Sequence, residues 1–332
     1  MKNIKILSEE DRHVLFTQTA SQMKLNPSIV EKDFWVCFML DHLFHDCKFK
    51  DAFVFKGGTS LSKSYHAIER FSEDIDLILD WRKIIEDSSD PWEDRSKTKQ
   101  DNYNKQINKK ASEFYINELV PALNAELISK LGEGKWVEVD SYDEMVINFM
   151  YPKIFVLEYI VPVVRLEIGP LAEWMPSHKT IISPFVAEKY PDVFKQNNTE
   201  ILTIDVERIF WEKITILHKM ANFPNDKQLP RRYARHLYDV YSLCQKRIKE
   251  SAFARKELLE KDIVFKQKFY YAKSAHYETA TLKSVQLIPA IHILENLRKD
   301  YAAMKNMIYG DYPEFDEIID YLKVLENEIH SL

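Results

Sequence analysis

Hydrophobic and polar positions follow two different periods along this 332-residue chain, and the places where the period changes divide it. Up to about residue 50 the period is that of a helix. Ser8 can cap a first helix running through residue 19, with Asp11 at its third position. Pro27 and Ser28 open a second, whose Val30, Phe34, Cys37, Phe38 and Leu43 form one stripe. Short apolar runs of strand length follow at residues 53–55, 75–79, 136–139, 145–151, 154–159 and 161–168. Residues 86–110 are crowded with charge, Ser and Asn, and read as a surface loop. They lead into a helix over 111–131, which Gly132-Glu133-Gly134 ends. Residues 170–190 are punctuated by proline and read as a crossing between two lobes. Beyond them the helical period returns. Asp205 caps residues 206–218, where Val206, Ile209, Phe210, Lys213, Ile214 and Leu217 share a stripe. Pro230 admits residues 231–243, striped by Tyr233, Leu237, Val240, Tyr241 and Cys244. Residues 261–332 also look helical. The expectation is a two-lobed α/β (α+β) protein: N-terminal helices over 1–50, a sheet-bearing core over 51–180 and a helical lobe over 181–332.

Composition adds exclusions. A net charge of −6 gives no global basic field, so a nucleic-acid contact would have to be a local patch, and none with DNA is inferred. Cys37, Cys47 and Cys244 are odd in number and lack metal-site spacing, which points to a reduced, cytoplasmic protein. Acidic residues begin at Glu9, too soon for a signal peptide. The longest apolar run, residues 34–40, is far short of a membrane span.

The chemistry concentrates in residues 53–79. An apolar run ends at Gly57-Gly58, Thr59 or Ser60 can cap a helix to about residue 69, and the chain returns through Asp74-Ile75-Asp76-Leu77-Ile78-Leu79. Glycines ahead of a helix start expose backbone N–H groups to an anion, and the helix dipole favours phosphate there. On a strand Asp74 and Asp76 share one face while Ile75, Leu77 and Leu79 share the other. Two neighbouring carboxylates repel unless a cation sits between them, and hard oxygen donors with substrate phosphates suit Mg²⁺. A third carboxylate is sought on the strand over 161–168, where Val163, Arg165 and Glu167 share a face. If that strand runs antiparallel to the one bearing Asp74, Glu167 reaches the pair; the plainer reading pairs Glu167 with Arg165 at the surface. Glu158 is the rival.

Gly57-Gly58-Thr59-Ser60-Leu61 with Arg70-Phe71-Ser72-Glu73-Asp74-Ile75-Asp76 resembles the DNA polymerase beta-like nucleotidyltransferase superfamily. It resembles more closely its AbiEii/MenT group of toxins from toxin–antitoxin and abortive-infection systems. Leu166-Glu167-Ile168-Gly169 matches a segment of that family, as do Glu207, Phe210, Glu212 and Lys213, and Arg232, Arg235 and Asp239. His236 stands where the family often has Asp. Glu31-Lys32-Asp33 before two aromatics also matches the family, although a solvated first turn is an equal reading. The resemblance implies a mixed β-sheet nucleotidyltransferase core followed by a mainly helical lobe completing the active site. It implies Asp74, Asp76 and Glu167 as catalytic metal ligands for Mg²⁺ (or Mn²⁺), and an NTP held by Gly57, Gly58, Thr59, Ser60, Ser72, Lys213, Arg232 and Arg235. Lys213 and Asp239 join the catalytic set, Asp239 orienting an acceptor hydroxyl or Lys213. Lys213 could instead snorkel, and Arg235 and Asp239 could be an ordinary i,i+4 pair. The implied acceptor is RNA, with the tRNA 3′ end first, and the implied partner is an antitoxin. Residues 266–273 mix lysines with aromatics, a composition suited to RNA or to an amphipathic helix edge. The competing reading is a nucleotide-binding regulator that acts by protein contact without catalysis.

Overall fold

Among the described residues, five of the six expected strand runs join two strands that were not expected, β6 and β7, in a sheet of seven in the order β3-β4-β5-β2-β1-β7-β6. These are β1 (Phe53–Lys56), β2 (Ile75–Leu79), β3 (Val137–Val139), β4 (Val146–Phe149), β5 (Val164–Gly169), β6 (Ser177–Ile182) and β7 (Thr199–Ile204). The computed structural model describes residues 7–84, 90–156, 161–171 and 176–332. Two compact units emerge: the described parts of Met1–Ser64 with Ser72–Ile204, and Tyr65–Phe71 with Asp205–Leu332.

The first unit holds the sheet, and β1 and β2 lie near its centre, antiparallel, with Lys56 opposite Asp76. The strand carrying Glu167 runs parallel to β2, not antiparallel; its antiparallel neighbour is β4. Residues 170–190 are not a plain crossing. Within them β6 pairs antiparallel with β7, and both strands belong to the sheet unit. Two features hid β6: it carries Ser177, His178 and Lys179, and only Thr180 and Ile182 are buried, as suits an outer strand. Residues 154–156 pair in no strand, and the rest of that expected strand, Glu158 included, lies outside the described residues.

Helices α1 (Glu9–Met23) and α2 (Pro27–Asp41) precede the sheet. Ser8 caps α1 through a reciprocal pair of bonds with Asp11. Every residue of α2 from Ser28 to Asp41 is buried, so the stripe read from the sequence understates it. It packs on α1, β5 and β7, and on α6 (Phe185–Lys189), which follows β6. The short α3 (Gly57–Lys63) follows β1 directly. The polar stretch after residue 90 becomes helical early, as α4 (Lys97–Phe114), and α5 (Val120–Leu131) continues it after a π-helical turn. Side chains from α2, α4 and α5 share one core with Phe53, Phe55, Ile75, Leu77, Leu166 and Ile168. That leaves Asp76 and Glu167 on the other face of the sheet.

The second unit is helical: α7 (Val206–Ala221), α8 (Arg235–Gln245), α9 (Ile248–Ala254), α10 (Glu257–Phe269), α11 (Ile291–Ala303) and α12 (Phe315–His330). Asp205 occupies the N-cap position of α7, but its carboxylate turns to Arg255 at 2.7 Å instead of capping the helix. α8 starts at Arg235 rather than at residue 231. Arg232 takes a left-handed φ of 59°, and the Asp300 carboxylate accepts the N–H groups of Arg232 and Ala234. The segment Tyr65–Phe71 joins this unit through a bridge between Arg70 and Ile308, and through Phe71 N–H donating to Met307 O at 2.7 Å.

Candidate active site

The glycine turn and the acidic strand are in contact. Gly57 has φ +80°, a backbone region that side chains resist. A Cβ built there would lie 2.8 Å from Asp76 Cβ and closer still to its carboxyl group. Only a residue without a side chain lets the turn pack on Asp76. Thr59 and Ser60 do not cap the helix. α3 begins at Gly57 itself, the Thr59 hydroxyl donates to Asp74 O and the Ser60 hydroxyl donates to Gly57 O. These two buried hydroxyls fix the turn and tie it to the backbone at Asp74. α3 stops at Lys63 rather than near residue 69, because residues 65–71 are committed to the helical unit.

Asp76 stands opposite Glu167 in the parallel pairing of β2 and β5. Partnered residues on neighbouring strands point to the same face, so the two carboxylates are cross-strand neighbours. Asp74 precedes β2 by one residue, and its place rests on the Thr59 bond rather than on sheet pairing. Asp74 and Asp76 are half-buried; Glu167 is exposed, with Arg165 Nε 3.7 Å from its carboxylate. Among the described residues, no group of three or more His, Cys, Asp or Glu gathers into a metal site. The donor chemistry fits a divalent ion in another way: Mg²⁺ takes one or two carboxylates and completes its shell with water and substrate phosphates.

The Glu31-Lys32-Asp33 triplet is not a solvated turn. All three are buried within α2, Glu31 and Lys32 at 0% exposure. Glu31 accepts the N–H groups of Ile154 and Phe155 at 2.7 and 3.0 Å. Burial raises its pKa, and those two N–H groups oppose the rise. Lys32 Nζ donates to Glu73 and to Val161 O, each at 2.7 Å. Asp33 accepts the Phe185 N–H at 2.7 Å and pairs with Lys63 at 2.8 Å. Sequence reasoning missed these roles. The available signal was a charged triplet followed immediately by Phe34-Trp35-Val36-Cys37-Phe38, where no solvated edge continues.

In the helical unit, Lys213 on α7 does not snorkel: it is 6% exposed and donates to Asp239 on α8 at 2.8 Å. Arg70 closes on the same carboxylate with two bonds, Nε at 2.7 Å and Nη2 at 3.0 Å. His236 Nδ1 lies 3.2 Å from Lys213 Nζ. Burial alone would raise the Asp239 pKa, but Arg70 and then Lys213 outweigh it and hold the carboxyl well below its ordinary range. Burial lowers Lys213, with Asp239 opposing and Arg70 adding to the fall. Burial first, then Lys213 and Arg235, push His236 far below a usual imidazole. The partner of Asp239 is therefore Arg70, from the glycine-to-aspartate segment, and not Arg235. Arg235 donates to Arg232 O at 3.1 Å instead. In the 266–273 segment, Lys266 turns inward to Thr215 and Asp262, and Phe265 and Phe269 are buried. Tyr270 and Tyr271 remain at the surface.

A family model described as "Nucleotidyl transferase AbiEii toxin, Type IV TA system" matches residues 39–321. Among solved structures, the chain is similar to MenT4, a nucleotidyltransferase toxin from Mycobacterium tuberculosis H37Rv. The identity is 16% and the TM-score 0.43, over 93% of this chain and 98% of that one. No curated protein matches the chain. No described helix is long and apolar enough to cross a membrane.

Proposed function

Since the chain belongs to the AbiEii nucleotidyltransferase toxin family of type IV toxin–antitoxin systems, with an NTP as substrate and an antitoxin as partner, we propose that Asp74, Asp76 and Glu167 carry its chemistry. The observation that supports this most directly is the pairing of Asp76 with Glu167, with Gly57 packed on the Asp76 side chain. Membership of an enzyme family also sets aside a regulator that acts by contact alone.

In the proposed reaction an acceptor hydroxyl attacks the α-phosphorus of the NTP. The bond to the β-phosphate oxygen breaks, pyrophosphate leaves, and the hydroxyl proton is lost to solvent. Drawn from Asp74, Asp76 and Glu167, one or two carboxylates at a time together with the nucleotide phosphates would hold Mg²⁺ or Mn²⁺, which when bound would neutralise phosphate charge and steady the attacking and leaving oxygens. Gly57 and Gly58 present backbone to phosphate, Thr59 and Ser60 keep that turn in shape, and half-buried Ser72 lies on the approach to Asp74. On the family pattern Lys213, Arg232 and Arg235 would meet nucleotide phosphates. Asp239, wholly buried between Arg70 and Lys213, would act by fixing Lys213 rather than by touching substrate. The acceptor we favour is RNA, with the tRNA 3′ end foremost. The test is transfer of label from each α-³²P nucleoside triphosphate, with Mg²⁺, to total RNA and to protein. We expect one labelled RNA band that disappears with Asp74→Ala/Asp76→Ala. Full labelling by that variant would remove the carboxylates from the mechanism, and label in protein alone would remove RNA as the acceptor.

A further inference from the structure

The carboxylate pair depends on a register that its own strands set only in part: their buried faces fix which side each residue takes, not which residue it meets. Strands β2 and β5 are parallel, and the whole of residues 80–163 lies between them in the chain. A tight turn fixes the register of a hairpin, but a parallel pair joined by a long crossover has no such device. Burial of Leu166 and Ile168 resists a slip of one residue, but a slip of two keeps every face and still carries Glu167 away from Asp76.

Lys32 sits where such a device is needed. Its ammonium is buried and bonds Glu73 and Val161 O, each at 2.7 Å. Glu73 is the residue before Asp74, at the entrance to β2, and Val161 lies just ahead of β5. One cation thus grips the entrances of both carboxylate-bearing strands, from a helix that itself packs on β5. An ion pair serving one strand alone would need only the first bond; the second, to the other strand's lead-in, is what couples the two.

We propose that Lys32 is a positioning residue for the carboxylate pair: by holding Glu73 and Val161 O together it sets the β2–β5 register that puts Glu167 beside Asp76. This rests on the proposed metal-binding role of those carboxylates. Lys32→Met alone leaves Glu73 buried without that cation and can fail to fold. Lys32→Met/Glu73→Gln removes both charges at little change in volume. For each variant, Mn²⁺ affinity is measured by titration in the presence of NTP, beside the melting temperature and the kcat and KM of nucleotidyl transfer.

We expect the double variant to fold while Mn²⁺ affinity and kcat each fall by roughly 10- to 100-fold, the usual cost of losing an outer-shell partner. KM for the NTP should change far less. A folded double variant with wild-type Mn²⁺ affinity would overturn the proposal. Loss of the fold in both variants would also overturn it, by assigning Lys32 to folding alone. A wild type that transfers no nucleotide, yet loses Mn²⁺ affinity on substitution, would sink the proposed reaction and leave the positioning role standing.

Discussion

Asp239→Asn tests whether the buried charge cluster of the helical unit is held together by its one carboxylate. Asp239 is wholly buried and accepts bonds of 2.7 and 3.0 Å from Arg70 and 2.8 Å from Lys213. Asparagine keeps the shape, but it turns one acceptor into a donor and leaves two buried cations facing each other. Breaking a buried pair from one side costs about 3–5 kcal/mol. At roughly 3 °C per kcal/mol for a unit of this size, the melting temperature should fall by about 10–15 °C. The pH dependence supplies a second check. The carboxyl is depressed in the folded state, so its contribution is fully present above the unfolded aspartate value of about 3.9. It is lost as pH falls from there through the depressed folded value. The gap between wild type and variant should therefore narrow below about pH 4. The assay is thermal denaturation from pH 7 to pH 3. A variant melting within about 2 °C of wild type at pH 7 would refute the reasoning, because a cluster that tolerates two unbalanced cations is not organised by Asp239.

Three further outcomes follow from particular contacts. Gly57→Ala should fold yet lose about a hundredfold in nucleotidyl transfer, because its Cβ would displace the Asp76 carboxyl by the order of an ångström. Glu31→Gln retains one acceptor oxygen where the Ile154 and Phe155 N–H groups need two, and urea denaturation should show a loss of about 1–3 kcal/mol. His236 has its pKa pushed down by burial, so between its folded value and about 6.5 only the unfolded chain takes up the proton. Wild type should therefore lose stability as pH falls from about 7 to about 5.5, and His236→Gln should flatten that limb in urea titrations at the two pH values.

What could be read in the sequence was whatever local chemistry decides. The stripe on α7 and the alternation in β2 survive in part: Ile209, Phe210, Lys213, Ile214 and Leu217 are buried, as are Ile75, Leu77 and Leu79, but burial also takes in Trp211 and Ile78 from the opposite faces. α2 was harder: a helix buried on all sides has no polar stripe, and its three charges look solvated until Glu73, Val161, Ile154, Phe155 and Lys63 come to meet them from distant parts of the chain. β6 was missed because an outer strand with few buried positions leaves a weak alternation. The direction of β5 is likewise invisible locally, since parallel and antiparallel pairing ask the same of Leu166, Glu167 and Ile168. The late start of α8 depends on Asp300, 68 positions on from Arg232, which takes the N–H groups that a local cap would have taken. Arg70 was quoted as part of a motif, but its tie to Asp239 spans 169 positions and no spacing rule reaches that far.

The parallel pairing of β2 with β5 also has a bearing on synthesis. The antiparallel pair of β1 and β2, joined by residues 57–74, brings together near neighbours in sequence and is available early to a chain emerging from the ribosome. Glu167 arrives only after α4, α5, β3 and β4 have been made, and β7, the other neighbour of β1, arrives later still. The acidic partner of Asp76 is therefore absent from any nascent chain that stalls before roughly half of the 332 residues have been translated. Early termination yields a fragment with the glycine turn and one acidic strand of the site, in which Asp76 has Lys56 on one side and no carboxylate on the other.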